Sequence, residues 1–299
     1  MMTKKLLALI FLTLVLAGVA GFGFWYDKKL LASKRAAVKE VLISDFSQDY
    51  EKKAQIEETK PLPAPPKERA LKLPILMYHH IGNPPPNPGK IRMDLTVPVE
   101  NFKEQVKWLK DNGYHSIKFS DLYGYTLGKT KLPAKPVILS FDDGYQDAFD
   151  NAIPALKEQG MIGSFAIITQ YPATHSGTNF YVDWNEIKAA QDQGMEIVSH
   201  TQDHFDGKNP KYSESFILSN LKGSIADIQT HLGFTTNILI YPYGRYTPKY
   251  IKLAEEAGFK LGITVHSGNA VNLDNLMEIP RVRVHNSTTL ESFAKMMQK

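Results

Sequence analysis

The 299 residues include no cysteine, so disulfides and a cysteine-linked lipoprotein anchor are both excluded. A strong charge of one sign is also missing from most of the chain. Residues 1–73 carry 13 Lys/Arg against 8 Asp/Glu, and the remainder 22 against 23, so the formal excess of +4 belongs to the front end. With no basic face in the near-neutral remainder, nucleic acid is not an expected partner. No internal repeat is evident. Hydrophobic content of 43% and charged content of 22% are ordinary for a globular protein, and the length suffices for one large domain plus an appendage.

Long apolar runs are scarce too, with one exception. Lys4 and Lys5 precede a nearly uninterrupted run from Leu6 to Tyr26. At ~1.5 Å per residue it is about long enough to span a bilayer, and Phe22, Phe24, Trp25 and Tyr26 stand where an interfacial aromatic belt would lie. Residues 1–26 are therefore expected to be a single-pass anchor; Ala17-Gly18-Val19-Ala20 leaves a cleaved signal peptide as the competing reading. Lys28, Lys29, Lys34 and Arg35 follow the run, so charge does not set its orientation. Residues 27–72 read as a polar stalk and a stiff connector, with Pro61, Pro63, Pro65 and Pro66 in its second half.

From Leu73 to the end, residues 73–299, the pattern becomes that of one domain. Short apolar runs alternate with amphipathic stretches. Strands are expected at Pro74–Tyr78, Ser116–Phe119, Val137–Phe141, Ser164–Thr169, Met195–Ser199, Asn237–Tyr241, Lys260–Val265 and Ile279–Val284. Between them lie helical patterns such as Phe102, Val106 and Leu109, closed by Gly113. Strands separated by helices call for parallel pairing and right-handed crossovers. Seven or eight such units favour an α/β barrel over an open sheet, with chemistry at the C-terminal ends of the strands.

Two motifs sit at such ends. Ser140-Phe141-Asp142-Asp143-Gly144 places adjacent carboxylates after an apolar run, and His200-Thr201-Gln202-Asp203-His204 supplies two imidazoles four positions apart. Each is weak alone: Asp-Asp-Gly is a common turn, and surface His pairs arise by accident. Together they form a chemically complete set. One carboxylate and two histidines make a three-ligand zinc site with an open position, and the second carboxylate is free to act as general base. The pattern is that of a metal-dependent hydrolase.

These two motifs and Tyr241-Pro242-Tyr243-Gly244 resemble, in order, the first three motifs of the polysaccharide deacetylases of carbohydrate esterase family four, over about Pro74 to His285. The resemblance implies a distorted barrel of about seven strands, a (β/α)7-type fold. It implies Asp143, His200 and His204 as ligands of Zn2+, or of another divalent transition metal, and Asp142 as the base. It also implies the backbone N–H of Tyr243 as donor to the developing oxyanion. Pro74–Ile81 and Phe180-Tyr181-Val182-Asp183-Trp184 look like the branch containing poly-β-1,6-N-acetylglucosamine deacetylases. There a Tyr-His near the domain start furnishes the general acid, here His79. Other branches take it from a Leu-x-His motif, for which Arg283-Val284-His285, lacking the leucine, is the nearest match. His80, next along the strand, should face the other way. Many members have an arginine two residues before the third-motif proline; here that position is Ile240, so Arg245, Arg281 or Arg283 could pair with the base, or each could be a surface charge and zinc proximity alone tune it. Trp184 and Tyr243 are candidates for an aromatic wall against a sugar, Trp184 otherwise packing at a helix start, and the loop over residues 171–180 for shaping the groove.

The function so implied is N-deacetylation of an extracytoplasmic N-acetylglucosamine polymer, either poly-N-acetylglucosamine or peptidoglycan. The partners are that glycan and, through the front end, the membrane. A catalytically silent glycan-binding module and a zinc esterase acting on O-acetyl groups are the rival readings.

Overall fold

Seven parallel strands close on themselves in chain order. The computed structural model describes residues 69–298; the expected anchor over 1–26 and nearly all of the expected connector lie outside them. Among the described residues no helix is long and apolar enough to cross a membrane. The strands are β1 (Ile75–Tyr78), β2 (Pro136–Phe141), β3 (Ser164–Ile167), β4 (Glu196–Ser199), β5 (Ile238–Ile240), β6 (Leu261–Ser267) and β7 (Ile279–Arg283). Each pairs with its neighbours in sequence, and β1 joins both β7 and β2. This settles barrel against open sheet.

The helices are α1 (Lys90–Asp94), α2 (Val99–Asp111), α3 (Phe119–Thr126), α4 (Gln146–Glu158), α5 (Trp184–Asp192), α6 (Glu214–Leu232), α7 (Pro248–Ala257) and α8 (Leu290–Gln298). The barrel is irregular at one seam: β6 and β7 are linked without a helix, and their register shifts between Ile263 and Ser267.

The strands read as almost continuous apolar runs because both faces are buried. Ile75, Ile138, Ala166, Val198, Ile240 and Ile263 belong to one apolar cluster, the barrel interior. Alternate residues such as Leu76, Val137, Leu139, Phe165 and Ile197 belong to a second, packed beneath the helices. Isoleucine and valine suit this two-sided burial, their branched side chains filling the pleat.

Beyond shifts of one or two residues at strand ends, two assignments differ from those expected. Ala70–Lys72, at the end of the expected connector, pairs antiparallel with Ala270–Asn272. The strand expected over Ser116–Phe119 shrinks to His115–Ser116, and Phe119 opens α3 instead. The cause is distant in sequence. The buried Glu196 carboxylate accepts the N–H groups of Phe119 and Ser120 at 2.8 and 2.9 Å, satisfying donors that a helix start leaves unpaired.

Candidate functional site

The expected ligands, base and acid follow the C-terminal ends of barrel strands, whereas Arg281 lies within β7 and Trp184 opens α5. His79 follows β1, Asp142 and Asp143 follow β2, His200 follows β4, and Tyr243 lies in the turn after β5.

Asp143, His200 and His204 present one ligand atom each, all within 4.8 Å of one another. The Nε2 atoms of His200 and His204 lie 3.1 and 3.3 Å from Asp143 Oδ1. His200 Nδ1 is 2.7 Å from the Ile240 carbonyl, which can only accept, so that nitrogen carries the proton and Nε2 turns its lone pair to the cluster. Asp143 Oδ1 is buried and finds no partner with hydrogen-bonding geometry. A buried acceptor facing other acceptors is costly, and a cation relieves it. The donor set, one oxygen and two nitrogens, suits zinc or a neighbouring divalent metal. Burial alone would raise the Asp143 carboxyl; with protons on the facing ring nitrogens in place of a cation, the two imidazoles override this and hold it well below the usual carboxylate range.

The neighbouring carboxylate faces elsewhere. Asp143 and Gly144 are both left-handed (φ 78 each), and this turn lets adjacent carboxylates diverge. Asp142 meets Arg281 from β7 in a two-pronged pair, Nη1–Oδ1 at 2.7 Å and Nη2–Oδ2 at 2.8 Å. Arg281 also donates to the Thr264 carbonyl and to Ser140 Oγ, and its side chain is wholly buried. Burial pushes Asp142 up, but the charge and hydrogen bonds of Arg281 outweigh it, so the carboxyl lies below its ordinary value. Of the three arginines open to this role, Arg281 fills it; Arg245 instead pairs with Asp206 at 3.0 Å near the surface.

His79 Nε2 lies 3.9 Å from Asp142 Oδ2. Burial lowers its pKa, against the raising influence of Asp142 and Asp143, and Arg281 and Arg283 add to the lowering. His285 is turned to Asp94, Nδ1–Oδ1 3.0 Å, and is 41% exposed. His80 faces away from His79, its Nδ1 3.0 Å from both Asp147 oxygens.

The two aromatic candidates lie in different surroundings. Tyr243 is 60% exposed at the lip, its ring 4.4 Å from that of His204. Trp184 is not at the lip. It stacks on His231 of α6, centroids 4.1 Å apart and planes 5° off parallel, with its body against the outer apolar layer. A tryptophan at the first position of α5 gains more by filling the seam between two helices than by standing in water.

Sequence reasoning missed the tyrosines beside the ligands. Burial, together with the neighbouring Asp143 and Tyr181, pushes the Tyr145 hydroxyl well above the usual phenol range, and Tyr181 packs on Tyr145 and Tyr171 at 5.2 and 4.9 Å. Tyr145 could have been found from its place one residue past the Asp-Asp-Gly turn. Tyr181 could not, because a bridge formed only on folding brings it to Tyr145.

Asp143, Thr201, His204 and Tyr243 all have positive φ, a conformation that costs a non-glycine residue about 1–3 kcal/mol. Such strain concentrates where a site dictates the backbone.

A family model described as polysaccharide deacetylase matches residues 129–262, ending before Arg281. The provisionally named polysaccharide deacetylase YxkH of Bacillus subtilis (strain 168) is 34% identical over 220 residues, 73% of each chain. A poly-beta-1,6-N-acetyl-D-glucosamine N-deacetylase of Staphylococcus aureus (strain MSSA476) is 28% identical over 199 residues, covering 63% of this chain and 68% of its own. The solved Streptococcus pyogenes deacetylase PplD, in complex with acetate, is 27% identical, with a TM-score of 0.68 over 77% of this chain and 99% of that one. With one third of its residues shared across nearly three quarters of YxkH, and with the family's barrel, the chain belongs to the polysaccharide deacetylases, carbohydrate esterase family four.

Proposed function

We propose that the chain is a divalent-metal-dependent N-deacetylase that removes acetyl groups from N-acetylglucosamine residues of a polysaccharide outside the cytoplasmic membrane. The observation that carries this reading is a buried carboxylate held by Arg281, unligated, beside an Asp/His/His cluster. A silent binding module has no use for such an arrangement. Resemblance to named poly-N-acetylglucosamine deacetylases supports that polymer over peptidoglycan. The apolar run over residues 6–26 supports a membrane-held enzyme.

Asp143, His200 and His204 would hold a divalent ion, zinc by preference, and its chemistry when bound would be to acidify water and polarise the acetamide carbonyl. Asp142 accepts the proton of the attacking water, and Arg281 keeps that carboxylate ionised and fixed in plane. The Tyr243 N–H, in a left-handed turn at the lip, donates to the carbonyl oxygen as negative charge develops. His79 protonates the departing sugar amine, without which the leaving group would be poor. Its burial keeps it neutral at rest, so it carries the proton only during turnover. Asp142, 3.9 Å away, is where that proton last resided. The exposed Tyr243 ring offers an apolar face to the sugar.

The deciding experiment incubates the purified, zinc-loaded chain with oligomers of β-1,6- and β-1,4-linked N-acetylglucosamine and with O-acetylated counterparts. Acetate from the N-acetylated β-1,6 series is expected; acetate from O-acetyl groups alone would make it an esterase, and none at all a binder.

His204→Ala removes one of three ligands, and elemental analysis should find zinc lost from the purified protein; full occupancy would refute the ligand assignment. His79→Ala should keep its zinc and turn over about 10²–10⁴-fold more slowly. His285→Ala, paired with Asp94 at 3.0 Å, should remain near wild type. The reverse result would move the acid role to His285.

A further inference from the structure

Helix α6 carries a stripe that the chemistry above leaves unexplained. Asn220, Gly223, Ser224 and Asp227 recur at three- and four-residue spacing, so they share one face. That face meets the segment bearing two of the three ligands. Asn220 Oδ1 accepts the N–H of Gln202 at 2.9 Å, and its Nδ2 donates to Asp203 Oδ1 at 2.8 Å. Asp227 Oδ2 accepts from Gln202 Nε2 at 2.9 Å and from Thr169 Oγ1 at 2.6 Å. Ser224 bonds Ser199 Oγ at 2.7 Å, and Ser199 Oγ in turn accepts the N–H of Thr201. Gly223 has no side chain where the Gln202 amide lies; a Cβ there would overlap it.

What the stripe holds is strained. Thr201 has φ 68, an outlier for a β-branched residue, and His204 has φ 58. Both lie inside the five-residue segment that must put His200 Nε2 and His204 Nε2 beside Asp143. Nothing in a sequence prefers that backbone. Contacts from elsewhere must impose it, and α6 supplies hydrogen bonds to Ser199, Gln202 and Asp203.

We infer that Asn220, Gly223, Ser224 and Asp227 are positioning residues that set the cation affinity of the Asp143–His200–His204 site by clamping the His200–His204 segment in its strained form. The inference rests on the metal-site reading above. It extends that reading to a helix that supplies none of the three clustered ligand atoms.

The test uses full-length protein in detergent, stripped of metal and titrated with zinc against a chromogenic chelator. Asn220→Ala and Gly223→Ala should each bind zinc about 10–100-fold more weakly, the usual effect of losing groups that orient ligands. Gly223→Ala is the sharper probe. Alanine in a helix interior is favoured over glycine by roughly 1 kcal/mol, which offsets the Gln202–Asp227 hydrogen bond displaced by the new methyl, so the thermal midpoint of the metal-free protein should hold while affinity falls. A purely structural role would move both together. Wild-type affinity in either variant overturns the inference, as does a loss of affinity accompanied in both by a lowered midpoint. His204→Ala in the same titration separates the two levels: undiminished zinc binding there removes the metal site itself, whereas zinc lost there but held in the α6 variants removes only the clamp.

Discussion

Asp142→Asn should leave a folded, zinc-loaded protein whose turnover has fallen by about 10²–10⁴-fold, the usual contribution of a positioned general base. The amide is nearly isosteric with the carboxylate but cannot take a proton from water. Zinc should stay, because Asp142 is not among the clustered ligand atoms. Stability should fall as well. One of the two oxygens facing Arg281 becomes an NH2 group, so donor meets donor at a contact now 2.7–2.8 Å long, and the buried guanidinium loses its counter-charge. Breaking such a pair costs about 3–5 kcal/mol, which a domain of ordinary stability survives. Acetate release and zinc content measured on one sample decide the matter. Wild-type turnover would end the base assignment, and loss of zinc would make Asp142 a ligand.

Arg281→Met is expected to be as damaging by the opposite route. The replacement fills most of the volume but leaves the Asp142 carboxylate buried without its partner, again at about 3–5 kcal/mol. Turnover should drop on the order of 10²-fold, since a carboxylate free to swing is no longer aimed at the attacking water. The double variant, Asp142→Asn with Arg281→Met, separates the two contributions. It removes both charges together, so its denaturation midpoint should recover part of the loss while its activity stays as low as that of Asp142→Asn. A double variant as unstable as the sum of the singles would show that the two side chains are not energetically coupled.

The ligands and the base were legible because the chain writes them in short contiguous strings. Asp142 and Asp143 are adjacent, His200 and His204 lie one short turn apart, and each string ends a run apolar enough to be recognised as a buried strand. The alternation of strand and helix carried the barrel by the same local logic. What failed to show had partners far along the chain. Three arginines were open as counter-ions because spacing says nothing about which one a barrel interior encloses; Arg281 and Asp142 are 139 residues apart. Phe119 looked like a strand residue because the carboxylate that makes it a helix start belongs to Glu196, 77 residues away. Trp184 stayed open between a sugar wall and a packed helix start because its stacking partner, His231, closes another helix. Tyr181 reaches Tyr145 only through a folded bridge.

Arg281 sits on β7, the staple between β6 and β1 that shuts the cylinder. The guanidinium that charges the base therefore arrives only with the last stave. A nascent or clipped chain lacking residues 279–283 would carry both signature motifs and still be inert, its cylinder split and its base uncompensated. Competence is thus an all-or-none property of the finished barrel.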